Sequence, residues 1–159
     1  MNSLNDHETT ADREIVSSRI FRIGRDLMFT AWSDPHLLAR WWGPKGFTNT
    51  FHEFDFRQGG DWKFIMHGPE GGNYSNHSRF IEIIVPERIV LDHISNPQFR
   101  VIASFDHHHE DTLLTFRMIF NTAQERDKVS KYAVDANEQN FDRLEALLNE
   151  TYPETGTRG

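Results

Sequence analysis

The feature that most constrains the fold is a long amphipathic helix pattern, which ends a chain whose middle is built from strand patterns. From about residue 123 to 149, mostly apolar residues recur at spacings of three and four, over roughly seven helical turns. The members of this stripe are Val129, Tyr132, Ala133, Ala136, Asn140, Leu144, Leu147 and Leu148. Because a strand-rich chain with one such helix must bury the apolar faces of both, we expect the helix to pack on a sheet.

Strand patterns separated by turn residues precede this helix. A first strand is predicted at 14–23, followed by two short helices at 25–31 and 35–41, and Gly43-Pro44 ends the second helix. Alternation of apolar and polar residues then predicts six strands, at 47–56, 62–66, 74–85, 88–94, 99–105 and 114–120. The apolar positions of the strand at 47–56 change parity midway, which predicts a β-bulge.

These elements predict an α+β fold in one domain. A curved antiparallel sheet of about six or seven strands wraps around the C-terminal helix, and two short helices follow the first strand. One helix is too narrow to cover such a sheet, so the sheet must curl, and a cavity can remain where side chains fail to meet. The length of 159 residues fits a single domain. We expect this domain at 13–150, a disordered tail at 1–12 and a second tail at 151–159.

Composition excludes several classes of function. The net charge of −7 gives no attraction to a phosphate backbone, so nucleic acid is not expected as a partner. The absence of cysteine removes disulfides, thiolate catalysis and Cys-ligated zinc. No apolar run approaches the roughly 20 residues of a membrane span, and the N-terminal residues lack the apolar core of a signal peptide. These patterns predict a cytoplasmic protein without membrane insertion.

A set of short motifs carries a resemblance to a known family. The most specific are Ala31-Trp32, Asp34-Pro35, Trp41-Trp42-Gly43-Pro44, Gly46-Phe47, Asp55, Arg57 and Gly59-Gly60-Asp61-Trp62. With them, residues 14–149 resemble the START-like superfamily, also called SRPBCC, helix-grip or Bet v 1-like. Within it, the chain is similar to homologues of the activator of the ninety-kilodalton heat-shock protein's ATPase. The resemblance implies a deep, mostly apolar pocket between the sheet and the long helix.

The leading hypothesis is a non-enzymatic protein that holds a small hydrophobic ligand of lipid, polyketide or aromatic type. Apolar walls would supply affinity, and His93 and Asn140 would orient the ligand. No cofactor is expected, because no phosphate-binding glycine motif precedes a helix. The predicted lining residues are Trp62, Phe64, Met66, Phe80, Leu91, His93, Val101, Phe116, Met118, Tyr132, Ala136 and Asn140.

Two other functions remain open at the level of sequence. The first, which the family name suggests, is a chaperone ATPase regulator or stress-response interaction protein, with the outer tryptophan of Trp41-Trp42 and the helix edge as candidate contact surfaces. The alternative role for the outer tryptophan is the mouth of the pocket, while the other one seals the core. The second is an enzyme of the cyclase or hydrolase kind with His93 or a pocket carboxylate as general base, which requires two convergent titratable groups. The chain is expected to be a monomer or a homodimer.

Several polar side chains have a simpler structural interpretation. His107, His108 and His109 are adjacent, and consecutive strand residues point to opposite faces, so we interpret them as a solvated hairpin tip and expect no metal site. Asp55 and Arg57 lie two residues apart on one strand. We interpret them as an ion pair that supports the following double-glycine turn; the alternative is that the Arg57 guanidinium anchors a ligand carboxylate. No catalytic residue is assigned.

Overall fold

The computed structural model describes residues 9–153. A short 3₁₀ turn at Ala11–Arg13 leads into the first strand. The elements are β1 (Glu14–Phe21), α1 (Arg25–Ser33), α2 (Pro35–Trp41), β2 (Thr48–Phe54), β3 (Asp61–His67), β4 (Asn73–Ile84), β5 (Arg88–His93), β6 (Phe99–His108), β7 (Asp111–Phe120) and α3 (Ala123–Thr151). This order matches the prediction, with differences of a few residues at most element ends.

The seven strands form one antiparallel sheet in the order β1-β7-β6-β5-β4-β3-β2. Every neighbouring pair except β1 and β7 is also consecutive in the chain, so short turns join most of the strands. The first strand lies beside the last and thereby places α1 and α2 next to α3. The predicted α+β fold, with a curved sheet around a C-terminal helix, is confirmed.

Local sequence signals explain where the helices begin. Asp34 caps α2, since its Oδ1 accepts a hydrogen bond of 2.9 Å from the backbone N–H of His36, and proline occupies the first helical position. Thr122 caps α3 by accepting from the backbone N–H of Glu125 at 3.1 Å. The predicted bulge in β2 is confirmed, because its register with β3 shifts between Phe51 and Glu53.

The buried face of α3 is rotated relative to the predicted stripe. The helix buries Val129, Ala133, Asn137, Phe141, Leu144, Leu147 and Leu148. Tyr132, predicted to point toward the sheet, is 60% exposed, so this part of the prediction was wrong. The buried positions from 129 to 141 follow steps of four, which keeps them on one side of a helix of 3.6 residues per turn and leaves position 132 on the flank.

Aromatic rings fill the space between the helices and the sheet. All four tryptophans form one contact cluster, with ring centroids 4.9 Å apart for Trp32–Trp41, 5.6 Å for Trp41–Trp42 and 5.1 Å for Trp42–Trp62. The indole N–H of Trp41 donates to the carbonyl of Ala31 at 2.9 Å, which fixes this buried ring between α1 and α2. Trp41 therefore seals the core, while Trp42 is only partly buried.

The ends of the domain differ slightly from the expected tails. Thr10 is buried although it falls in the predicted N-terminal tail, and α3 continues to Thr151, where the C-terminal tail was predicted to begin. Residues 1–8 and 154–159 of the two predicted tails lie outside the described residues. The proposed domain boundaries at 13 and 150 stay a prediction.

The hairpin between β6 and β7 carries the adjacent histidines. His107 and His108 end β6, and His109 adopts a left-handed φ of 59° in the turn. All three are exposed. In the described part of the chain, no group of three or more His, Cys, Asp or Glu side chains is arranged to hold a metal ion. Nor does any helix between residues 9 and 153 have the length and apolar character needed to span a bilayer.

Candidate ligand-binding cavity

A cavity of about 160 Å³ lies between the sheet and α3. Strands β3, β5, β6 and β7 supply its apolar wall through alternate, inward-facing residues, and α3 closes the opposite side. The segment after α2 forms one end. The apolar side chains and Cα positions on the wall are Trp42, Gly43, Pro44, Phe64, Met66, Leu91, Phe99, Val101, Phe116, Met118 and Ala136.

Nine of the twelve residues predicted to line the pocket are at this cavity. They are Phe64, Met66, Leu91, His93, Val101, Phe116, Met118, Ala136 and Asn140. The placement of the seven strand residues follows from strand parity, because residues two apart on a strand face the same side of the sheet. That they bind a ligand stays a prediction.

The structure does not bring the other three predicted residues to the cavity. Trp62 and Phe80 are each 2% exposed and stack parallel in the core, with ring centroids 6.2 Å apart. They are buried in the core, where Trp62 contacts the rings of Trp42 and Phe64, and Phe80 contacts that of Phe56. Tyr132 lies outside it and instead borders a more open depression of about 360 Å³ between α3 and residues 96–98.

The sequence-based prediction missed several residues of the wall. Asn76 and Ser78 share strand parity with Phe80 on β4, so extending that parity toward the start of the strand would have found them. Asn137 follows Ala133 by four residues on the buried face of α3. Trp42 and its neighbours come from a loop, and only long-range contacts bring that loop to the wall.

One end of the cavity is polar. Ser78 of β4 and His93 of β5 are cross-strand partners, so their side chains stand side by side on the inner face. The Nδ1 of His93 lies 2.8 Å from the carbonyl oxygen of Pro97, and its Nε2 lies 2.8 Å from Oδ1 of Asn76. The imidazole also stacks on Phe99 at 4.7 Å. Protein groups on three sides therefore fix its orientation.

Burial shifts the proton equilibrium of His93. Removing the ring from water disfavours the imidazolium and lowers the pKa of His93 below its ordinary value of 6.5. The backbone groups of Pro97 and Ser95 act in the opposite direction, and the nearby His77 adds to the lowering of this pKa. Because burial is the largest influence, His93 is expected to be neutral at neutral pH.

Two asparagines face the cavity from α3. The side-chain NH₂ of Asn137 donates to Oγ of Ser17 at 3.2 Å and to Sδ of Met118 at 3.6 Å. Asn140 accepts a hydrogen bond of 3.2 Å from the backbone N–H of Gly43. The polar group that interrupts the predicted apolar stripe at position 140 thus has a structural partner in the segment after α2.

Arg143 holds the same segment in place. Its guanidinium donates to the carbonyl oxygens of Arg40, Trp42, Gly43 and Pro44 at 2.9, 3.2, 2.8 and 3.0 Å. The carbonyl of Arg40 belongs to the last turn of α2 and the other three follow that helix, so none of the four has a partner within it. Burial lowers the pKa of Arg143. The end wall of the cavity therefore depends on a side chain about 100 residues away in the sequence.

No Lys, Arg, Asp or Glu side chain of the described residues lines the cavity, and His93 is its one titratable group. The Asp55–Arg57 pair lies elsewhere, with Nε of Arg57 2.8 Å from Oδ2 of Asp55 at the surface. Beside that pair, a Cβ on Gly60 would come within 2.0 Å of the Asp55 carbonyl oxygen, so only glycine fits this turn. The two residues follow the end of β2 at Phe54 and do not lie on one strand as predicted, and their structural role stays an interpretation.

The sequence was compared with protein families and with curated proteins. The family described as Activator of Hsp90 ATPase homolog 1-like protein matches residues 23–149, which include α1, α2, six of the seven strands and nearly all of α3. No curated protein matches this chain.

Solved structures show the same fold. A crystal structure of a protein from Nitrosomonas europaea has a TM-score of 0.83 and 20% identity, and the match covers 90% of this chain and 98% of that one. A solution structure from Arthrobacter aurescens has a TM-score of 0.81 and 19% identity, with 90% of each chain covered. The AHSA1 protein from Silicibacter pomeroyi has a TM-score of 0.73 and 18% identity over 87% of this chain and 99% of its own. Identities this low show the fold alone.

Proposed function

The chain belongs to the family of Activator of Hsp90 ATPase homolog 1-like proteins, and from this premise we propose that it binds a small, largely apolar ligand between its sheet and α3. The observation that carries the proposal is the apolar cavity of about 160 Å³ with its polar end at Ser78 and His93. Pockets that combine apolar walls with a few fixed polar groups are the usual form of small-molecule sites.

The volume of the cavity limits the size of the ligand. An apolar cavity of about 150 Å³ in another protein holds one benzene molecule. A cavity of about 160 Å³ therefore fits a compound with one ring or a short branched chain. Among the lipid, polyketide and aromatic ligands suggested by the sequence, single-ring aromatics fit best. A longer lipid would have to extend through the open side.

The same wall supports binding more than catalysis. A general acid–base pair needs two groups that hold the reacting bond between them. His93 is the one titratable group among the described lining residues, and both of its ring nitrogens already contact protein oxygens. A cyclase or hydrolase mechanism would need a second proton-transfer group at this wall.

Regulation of a chaperone ATPase, which the family name suggests, has less support from the arrangement of apolar surface. Trp42 was a candidate contact residue, but its side chain lines the cavity. Tyr132 and Val134 are exposed on α3, at 60% and 50%. They are separate residues on one helix and do not by themselves form the extended patch that a protein partner requires.

A thermal shift measurement with matched variants tests the binding function. Compounds that bind only the folded state raise the melting temperature, so a library of single-ring aromatics, lipids and polyketides should contain stabilising members. Ala136→Phe places a ring in the cavity from α3 and should abolish these shifts. Val134→Phe adds a similar ring on the exposed side of the same helix and should leave them unchanged.

The outcomes separate clearly. Stabilisation of the wild type and of Val134→Phe, together with loss in Ala136→Phe, would support binding in the cavity. A library without a single stabilising compound would overturn the proposal. Equal shifts in all three proteins would place binding elsewhere and would count against the cavity as the site.

A further inference from the structure

A serine hydroxyl at the polar end of the cavity has no hydrogen-bond partner among the described residues. The side chain of Ser78 lines the cavity and is 2% exposed. Within residues 9–153, no side-chain or backbone group makes a hydrogen bond with its Oγ. Because this hydroxyl faces the cavity without a protein partner, a polar group of a ligand in the cavity can hydrogen-bond to it.

The other polar groups at this end are already engaged. Nδ1 of His93 donates to the carbonyl oxygen of Pro97, its Nε2 lies 2.8 Å from Oδ1 of Asn76, and Nδ2 of Asn76 donates to the backbone carbonyl of Tyr74 at 2.9 Å. On the opposite wall, Asn137 donates its NH₂ to Ser17 and Met118. Its carbonyl oxygen makes no hydrogen bond with the described residues. Two polar atoms at the cavity therefore remain available for hydrogen bonds, the hydroxyl oxygen of Ser78 and the side-chain carbonyl oxygen of Asn137, and both are uncharged.

Among residues 9–153, no group at the cavity could neutralise a charged ligand. Its described lining has no Lys, Arg, Asp or Glu, and the burial of His93 opposes a positive charge on the imidazole. A carboxylate or an ammonium group moved from water into such a site would be buried without an ion partner, which is strongly unfavourable. A hydroxyl group has a much smaller desolvation cost and can both donate and accept.

We propose that the ligand is a neutral single-ring compound that carries one hydroxyl group, as a phenol does, and that this group hydrogen-bonds to Ser78. The inference rests on the proposed function, because it concerns the same cavity. It specifies that the ligand is uncharged and that the hydroxyl oxygen of Ser78 recognises it.

Four compounds of similar size test the charge of the ligand. Phenol is neutral and polar, toluene is neutral and apolar, benzoate is an anion and benzylamine is a cation at pH 7.5. Dissociation constants are measured by NMR titration, with the methyl resonances of Leu91 and Val101 as reporters of the cavity. Phenol is expected to bind most tightly, and benzoate and benzylamine at least about tenfold more weakly, because each carries an unpaired charge.

A matched pair of serine variants tests the recognising atom. Ser78→Ala should weaken phenol binding by about three- to tenfold, the usual effect of one neutral hydrogen bond, and should leave toluene binding unchanged. Ser75→Ala changes an exposed residue of the same strand and should alter neither constant. Melting curves of both variants verify that they are folded.

Failure of the inference differs from failure of the binding function. Binding of benzoate or benzylamine as tight as that of phenol would overturn the neutral class while leaving the cavity as a binding site. An unchanged preference for phenol over toluene in Ser78→Ala would overturn the role of the hydroxyl. If none of the four compounds shifts the inner methyl resonances while the thermal shift library contains stabilising members, the inference falls and the binding function stands; if the library contains none either, both fall.

Discussion

At the scale of single residues, His93 shows two opposing influences on one side chain. The carbonyl oxygen of Pro97 can only accept, so Nδ1 carries a proton in the folded protein. The oxygen of Asn76 beside Nε2 would favour a second proton, whereas burial opposes the charge that this proton brings. The lowered pKa of His93 shows that burial dominates. The side chain is therefore a fixed, uncharged part of the cavity wall.

This lowered pKa predicts an acid-dependent loss of stability. The unfolded chain binds a proton at His93 near pH 6.5, while the folded protein resists it until a lower pH. The stability from His93 is thus present above the unfolded pKa and is lost as pH falls below it. His93→Asn, whose NH₂ can still donate to Pro97, should show a smaller fall in melting temperature between about pH 7 and pH 5.

His52→Asn is the matched control, because His52 is an exposed residue of β2. It should follow the wild-type curve in calorimetry over the same pH range. His77 contacts Asp61 at 3.0 Å and adds to the lowering of the His93 pKa, so it is kept unchanged in both variants. A wild-type melting temperature that does not fall between pH 7 and pH 5 would contradict the interpretation.

The inward direction of His93 could be predicted because it shares parity with Ile89 and Leu91, both of which are buried. The hydrogen-bond partners of His93 could not be predicted, because Pro97 lies in a turn and the alternation of apolar residues does not define the conformation of a turn. Ser78 was overlooked for a related reason. A serine between polar neighbours carries no hydrophobic signal, and its place in the cavity depends on pairing with another strand.

At the scale of elements, the contact of α3 with the end of α2 is the most consequential one for the site. Arg143 donates to four carbonyl oxygens, while Asn140 accepts from Gly43 and Gln139 accepts from Lys45 at 3.1 Å. One face of α3 therefore acts as the C-terminal cap of another helix. The segment that forms the end wall is fixed by α3.

Replacing Arg143 by methionine should destabilise the protein by about 2–4 kcal/mol, because partly buried carbonyls lose a charged donor. Arg40→Met is the control, since the Arg40 side chain makes an exposed pair with Glu150 at 3.0 Å and should cost less than about 1 kcal/mol. Urea unfolding of the two variants measures the difference. Similar losses for both variants would show that the hydrogen bonds of Arg143 do not stabilise the fold.

The helices illustrate what periodicity can and cannot predict. The pattern of α3 gave its start and nearly its whole length, and the motif around Asp34 gave the exact span of α2. The rotation of α3 was less well defined, because Phe141 lies beside charged residues and Asn137 is polar, although both are buried. Burial of an asparagine depends on partners in β1 and β7 that a local pattern does not contain.

At the scale of the whole molecule, the cavity is a place where added side-chain volume can increase the free energy of unfolding. Filling a cavity commonly adds about 0.5–2 kcal/mol. Ala136→Phe should therefore raise the free energy of unfolding by up to about 1 kcal/mol after the lower helix propensity of phenylalanine is subtracted. Val134→Phe should give no gain. Urea unfolding measures both, and destabilisation by Ala136→Phe would mean that the open space cannot accept a ring.

The continuous contact of the four tryptophans has a spectroscopic consequence. Their ring centroids are 4.9 to 5.8 Å apart along the cluster, and Trp42 alone of the four lines the cavity. At such separations, excitation passes readily between indoles, so the ultraviolet emission of the protein comes from one coupled set of chromophores. A ligand that touches Trp42 would change the emission of that set. The proposed binding would then be visible in the fluorescence of the protein itself, without an added dye or label.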